Sequence, residues 1–265
     1  MGDDMDRYSG RRALVTGGGS GIGQATVLRI LAEGGDVVAA DVSEAGLKDT
    51  VAKAGADAGR LSTVVVDISD EASVRAAVAA ALSTLGGLDV LVNAAGILRS
   101  SHTHETSLAD FTKVITVNLT GTFLMIRETI PALLEGNAPA VVNFSSTSAM
   151  FAHPYMAAYA ASKGGIQSMT HALASEYAKQ GIRFTAVQPG SISSGMTDGS
   201  GESRQSQGPG LPEDADMSLF MKLAPALGKG FAGPEAVAGV VAMLASADGA
   251  FITGTEVRID GGTHF

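Results

Sequence analysis

This 265-residue sequence contains no cysteine and no tryptophan. Without thiols it can form no disulfide, no thiolate nucleophile and no cysteine-based metal site. Positive charge is also scarce: 18 Lys and Arg stand against 27 Asp and Glu, a net charge of −9. The basic residues cluster only at Arg11–Arg12, which makes nucleic acid and anionic membrane surfaces poor partners. No apolar run is long enough for a membrane span. The acidic opening MGDDMDRYSG lacks the apolar core of a signal peptide, and Asp6 stands where a myristoylation pattern needs Ser or Thr. The expectation is a soluble, cytoplasmic protein. What the chain does have is 34 glycines and 45% hydrophobic residues, enough for a well-buried α/β core and unlike a disordered chain.

Short Val-rich runs alternate with longer helical patterns. Strands are predicted at 12–17, 36–41, 62–67, 88–93, 138–145, 183–188 and 255–260. Several are apolar on both faces, as parallel strands covered by helices should be. Helices are predicted at 21–34, 44–54, 70–85, 108–134, roughly 155–180 and 234–246. Seven strands alternating with helices predict an α/β, doubly wound parallel sheet of the Rossmann type, built as one domain over 1–265. Residues 191–230 break the rhythm with Gly, Ser and Pro. A long irregular segment in a compact domain is commonly a lid, and this one follows the carboxyl end of a strand, where such sheets bind ligands.

The first strand runs into LVTGGGSGIGQAT, in which Gly17, Gly21 and Gly23 fit G-x-x-x-G-x-G. Glycine there permits a tight turn and lets a pyrophosphate approach a helix N-terminus. Asp41 ends the second strand, 18 residues after Gly23. A carboxylate at that place accepts hydrogen bonds from the adenosine ribose and repels a 2′-phosphate. The glycine loop offers no Lys or Arg to pair with one. NAD is therefore preferred to NADP.

The window FSSTSAMFAHPYMAAYAASKGG (144–165) crowds four serines, two tyrosines, a histidine and a lysine together. On a helix, Tyr159 and Lys163 share a face about 6 Å apart along the axis. Tyr155 would lie about 12 Å away, too far to couple. Tyrosine with a pKa near 10 is a poor base at neutral pH, and an adjacent ammonium lowers it. Such a tyrosine can exchange a proton with an alcohol or carbonyl oxygen. A lone Y-x-x-x-K is common, so the pair gains weight only from its company.

That company is TGGGSGIG, NAAG (93–96), VNLTGTF (117–123), VVNFSS, YAASK, QPG (188–190) and ITGTEVRIDGG (252–262), in that order. Together they resemble the single-domain branch of the short-chain dehydrogenase/reductase family, over nearly the whole chain. The resemblance implies that Tyr159 is the acid/base and that Lys163 lowers its pKa and binds the nicotinamide ribose. It implies that Ser146 is the serine that holds the substrate oxygen, and that Asn118 anchors a water in a proton relay. Gly17, Ser20, Gly21, Ile22 and Gly23 would hold the pyrophosphate side of NAD. Asn93, Ala94 and Gly96 would line the adenosine side of the cleft, and Asp67 with Ile68 would bracket adenine. Pro189, Gly190, Ile192 and Ser194 would border the nicotinamide. Serine at 194, where the family often has threonine, keeps the hydroxyl. The resemblance also implies a homotetramer or homodimer paired through the long helices.

Other residues have plainer readings. Ser145 and Ser148 read as structural, and HTHE (102–105) as a solvated loop with no metal. Tyr155 and His153 are candidates for the substrate cleft, and Arg99 for a substrate anion. The expected reaction is hydride transfer between NAD(H) and a secondary alcohol or ketone. The stretch NAAGILR and the overall layout are similar to 3-oxoacyl-thioester reductases of the family. Met150, Phe151, Met156, Met217, Phe220 and Met221 hint at an apolar substrate. Steroid, polyol, sugar and terpenoid alcohol dehydrogenases remain alternatives. A catalytically dead nucleotide sensor fits less well, because the Tyr–Lys pair is kept.

Overall fold

The computed structural model describes residues 6–194, 196, 209–228 and 230–264. Seven strands form one parallel sheet in the order β3-β2-β1-β4-β5-β6-β7. They are β1 (Arg12–Thr16), β2 (Asp36–Asp41), β3 (Leu61–Val65), β4 (Val90–Asn93), β5 (Ala140–Phe144), β6 (Arg183–Pro189) and β7 (Thr255–Ile259). The helices are α1 (Gly21–Ala32), α2 (Glu44–Ala54), α3 (Glu71–Leu85), α4 (Leu108–Ile115), α5 (Gly121–Leu134), α6 (Ala157–Tyr177) and α7 (Glu235–Ala245).

The Val-rich runs explain the layering. Alternate side chains of one strand enter opposite cores: Val15, Val90, Val92 and Val142 pack with Val27, Ile30, Val237 and Val241 of α1 and α7. Leu14, Leu91 and Val141 pack on the other face with Val74 and Val78 of α3 and Leu124 and Met125 of α5. Burial on both faces is what a parallel sheet with helices on both sides requires. Asp70 caps α3 by accepting from the backbone N–H groups of Ala72 and Ser73, the role short acidic side chains serve at a helix start.

The strand order reverses between β1 and β4. The crevice at the carboxyl ends of those strands is where such sheets bind ligands. At the amino ends of the strands, the residues before β1 are clamped: the Tyr8 hydroxyl donates to the Ala242 carbonyl at 2.8 Å, and Arg7 pairs with buried Glu33 at 2.6 Å and with Asp248 at 2.9 Å.

The predicted helix 108–134 is continuous but contains a π-helical turn at Thr116–Thr120, between α4 and α5. Helix α6 starts at Ala157, so Tyr155 is not helical; it holds a left-handed backbone with φ of 65°. Among the described residues, no helix is long and apolar enough to cross a membrane.

Candidate active site

A cleft of about 1550 Å³ opens at the carboxyl end of the sheet, and the glycine loop forms its floor. The loop's glycines are required by contact as well as by conformation. Gly17 has φ of 70°, and a Cβ there would lie 2.8 Å from the Ala95 backbone nitrogen. A Cβ on Gly23 would sit 2.1 Å from the Gly17 carbonyl oxygen, and one on Gly19 would strike the Asp41 carboxyl carbon at 2.9 Å. The result is a bare backbone cradle at the start of α1, the setting that suits a dinucleotide pyrophosphate. Ser20, Gly21 and Ile22 line it with Gly17 and Gly23, and Gly21 faces Ser194.

Asp41 at the end of β2 is held as an acceptor. Its Oδ2 takes the Gly19 N–H at 3.0 Å and its Oδ1 the Ser43 N–H at 2.8 Å. Asp67, Ile68, Ala94, Gly96, Pro189, Gly190 and Ile192 also line the cleft. Asp67 lies well below the usual carboxylate range, mainly because the Ser69 hydroxyl donates to it. Asn93 faces elsewhere: its side chain is buried and its Nδ2 donates to Asn143 Oδ1 at 2.9 Å, bridging β4 and β5.

Tyr159 and Lys163 share one face of α6, with Lys163 Nζ 5.5 Å from the Tyr159 ring centre. Ser146 follows β5 in extended backbone and its Oγ accepts the Ser148 N–H at 3.1 Å. All three line the cleft. The electrostatics differ from the expectation that Lys163 lowers the Tyr159 pKa. Burial pushes the phenol up, and a hydrogen bond from the Ser146 hydroxyl opposes it. Lys163 is itself pushed down to about 8 by burial, and its Nζ donates to the Phe144 carbonyl at 2.7 Å. A buried ammonium loses hydration, which lowers its pKa, yet at about 8 Lys163 still carries its charge near neutral pH.

The π-turn gives Asn118 its place. Its side chain is fully buried, with Oδ1 accepting the Ile97 N–H at 2.8 Å and Nδ2 donating to the Ile97 carbonyl at 2.9 Å and to Ser162 Oγ at 3.0 Å. It thus ties the loop after β4 to α6.

Of the remaining candidates, His153 and Met156 line the cleft, as do Met217 and Phe220. Met150 and Met221 are exposed. Arg99 donates to the carbonyl of its own neighbour Leu98. His102 meets Asp214 at 2.9 Å. Ser145 donates to the Lys163 carbonyl at 3.0 Å. The sequence reading missed His264, which the fold brings to the cleft beside His153; no local pattern near residue 264 marks it.

Of the expected lid, residues 195, 197–208 and 229 lie outside the described residues. Its start is tied to the residue just past its end: Ser193 N–H donates to the Ala232 carbonyl at 2.8 Å and Ala232 N–H to that of Ser191 at 3.0 Å.

The short chain dehydrogenase family model matches residues 11–205. The chain belongs to this family. It is an oxidoreductase of alcohol and carbonyl groups that works with a nicotinamide cofactor. The chain is 37% identical over 260 residues to a levodione reductase of Leifsonia aquatica, covering 97% of this chain and 95% of that one. It is 35% identical over 256 residues to a 3-oxoacyl-[acyl-carrier-protein] reductase of Thermotoga maritima, covering 97% and 98%. A crystal structure of a short chain dehydrogenase from Mycobacterium paratuberculosis bound to NAD superposes with a TM-score of 0.86 at 30% identity, covering 97% and 98%.

Proposed function

We propose that this protein is a single-domain, NAD-dependent dehydrogenase/reductase of a secondary alcohol or its ketone with an apolar body. The observation that carries NAD over NADP is the fixed carboxylate of Asp41 in the cleft beside Gly19. It suits a ribose hydroxyl donor and repels a phosphate. The NAD-bound relative supports the same choice. Gly17, Ser20, Gly21, Ile22 and Gly23 would hold the pyrophosphate, and Asp67, Ile68, Ala94 and Gly96 the adenosine side. Pro189, Gly190, Ile192 and Ser194 would border the nicotinamide ring.

The cofactor, when bound, supplies or accepts the hydride; the chain's own residues manage position and protons. Ser146 holds the substrate oxygen and stabilises its partial charge. Tyr159 gives a proton to that oxygen in reduction and takes it back in oxidation. Its raised pKa keeps it protonated and ready to donate. Lys163 anchors the nicotinamide ribose, and Asn118 fixes the loop that faces it. Leu98, Met156, Leu211, Met217 and Phe220 along the cleft support an apolar substrate body. Leu108 and Phe123, exposed on α4 and α5, support a homo-oligomer paired through those helices. We place the enzyme in the cytoplasm.

NADH absorbance over a panel of secondary alcohols and ketones, run with both cofactors, tests the reading. Turnover with NAD(H), lost in Tyr159→Phe while NADH still binds, is expected. Tight NADH binding without any turnover would instead favour a nucleotide sensor.

A further inference from the structure

One part of the cleft wall serves neither the cofactor nor the reacting carbon. Thr147, His153, Thr263 and His264 line the same cleft as Ser146 and Tyr159. Thr147 is buried, and its Oγ1 lies 3.1 Å from His153 Nε2. The tail after β7 is folded back to complete this wall. Asp260 accepts the Gly262 N–H at 3.0 Å and the His264 N–H at 3.2 Å, and its Oδ2 also lies 3.2 Å from His264 Nδ1. The His264 ring stacks on Phe151 with centroids 4.0 Å apart and planes 13° off parallel. Arg258 packs against Phe151 as well, 5.2 Å from its ring centre. The two imidazoles come within 6.1 Å of each other.

Elsewhere the substrate side is apolar, with Leu98, Met156, Leu211, Met217 and Phe220. A hydrogen-bonding pair set into such a wall favours a ligand that brings a polar atom to it, because an apolar body laid over the pair would strip water from its remaining donor and acceptor capacity without replacing it. Burial and the nearby His264 push His153 down to about 4, so its ring is neutral. A neutral imidazole offers one donor and one acceptor but no charge. It therefore suits an uncharged oxygen better than a carboxylate or phosphate.

We propose that Thr147, His153 and His264 form a subsite for a second, uncharged substrate oxygen, a hydroxyl or carbonyl remote from the carbon that is oxidised or reduced. The preferred substrates are then diols and hydroxyketones rather than mono-oxygenated compounds of the same skeleton. This deepens the proposed function and rests on it.

The test compares cyclohexanone with the three isomeric 2-, 3- and 4-hydroxycyclohexanones. In the wild-type enzyme with NADH, at least one hydroxyketone should show kcat/KM about ten-fold above cyclohexanone, as one well-placed hydrogen bond allows. In His153→Phe that ratio should fall to within about three-fold of unity, and His153→Gln should restore part of it. A second arm measures binding of the same compounds by ligand-observed NMR to the Tyr159→Phe protein, with and without His153→Phe. That arm needs no turnover. Absence of all turnover would sink the functional reading, whereas the subsite falls if no isomer binds better than cyclohexanone or if the preference survives His153→Phe.

Discussion

The phenolic oxygen of Tyr155 accepts a 2.9 Å hydrogen bond from the backbone N–H of Asp216. Its ring lies against Phe220, 6.1 Å away and 21° from parallel, and meets His102 edge-on at 5.2 Å. Phe220 in turn lines the cleft. Tyr155 is therefore an anchor for the segment that lines the cleft through Phe220, in contrast to Tyr159, the proposed acid/base.

Removing that one hydroxyl tests the anchor. Tyr155→Phe keeps the ring contacts and loses the bond to Asp216. The expected result is a KM for substrate raised about three- to ten-fold, from about one hydrogen bond, with kcat and NADH affinity little changed. Loss of kcat with KM unmoved would place Tyr155 in the chemistry instead.

The same segment is held by His102 and Asp214, 2.9 Å apart. Asp214 raises the His102 pKa, and His102 lowers that of Asp214. A histidine raised by its partner contributes fully below its free value of about 6.5 and loses the contribution as pH rises through the folded value. Substrate KM is thus expected to climb as pH is taken upward from about 6.5. His102→Gln should flatten that part of the profile, and a steady-state KM series against pH reads it directly.

Asp41 supports the glycine loop through Gly19 and lines the cleft where the adenosine ribose is proposed to bind. Asp41→Ser should lower kcat/KM with NAD by about ten-fold or more, and it should raise the NADP-to-NAD ratio because a repulsive charge is gone. The ratio is the decisive number, since the loop itself is disturbed. An unchanged ratio would show that Asp41 does not discriminate.

Half-buried, neutral His153 makes the fold sensitive to acid. Its folded pKa of about 4 lies below the free value. Between about 6.5 and 4 the unfolded chain binds the extra proton, so stability falls as pH falls, by about 1–2 kcal/mol from this partly solvated group. His153→Gln should lose less stability over that range than the wild type. Thermal melts at a series of pH values would show the two curves converging toward acid, and parallel curves would contradict the assignment.

The sheet was readable in advance because its strands are buried on both faces. Runs such as DVVAAD carry no polar face and cannot be mistaken for a surface hairpin. Tyr159 and Lys163 were readable because both sit inside α6, where spacing becomes distance. Tyr155 was misplaced for the same reason in reverse. Its apolar, Ala-rich surroundings look helical, yet its carbonyl accepts the Ser101 N–H at 2.9 Å and its hydroxyl is held by Asp216. Those long-range bonds fix a left-handed backbone that no local pattern signals. The π-turn around Asn118 is equally silent, because a single extra residue in a turn leaves the apolar pattern of 108–134 nearly intact. The effect of burial on Tyr159 and Lys163 also depends on depth, which spacing does not encode. His153 and His264 come together only after the two strands between them, β6 and β7, have joined the sheet.

The two ends of the described chain lie at opposite ends of the strands. Arg7 and Tyr8 are clamped at the amino ends of the strands, while Asp260 turns the other end back to put His264 on the cleft wall. An affinity tag joined before Arg7 starts far from the chemistry. One joined after the tail starts beside the bound substrate, so purification handles at the two ends should yield enzymes with different kinetic constants.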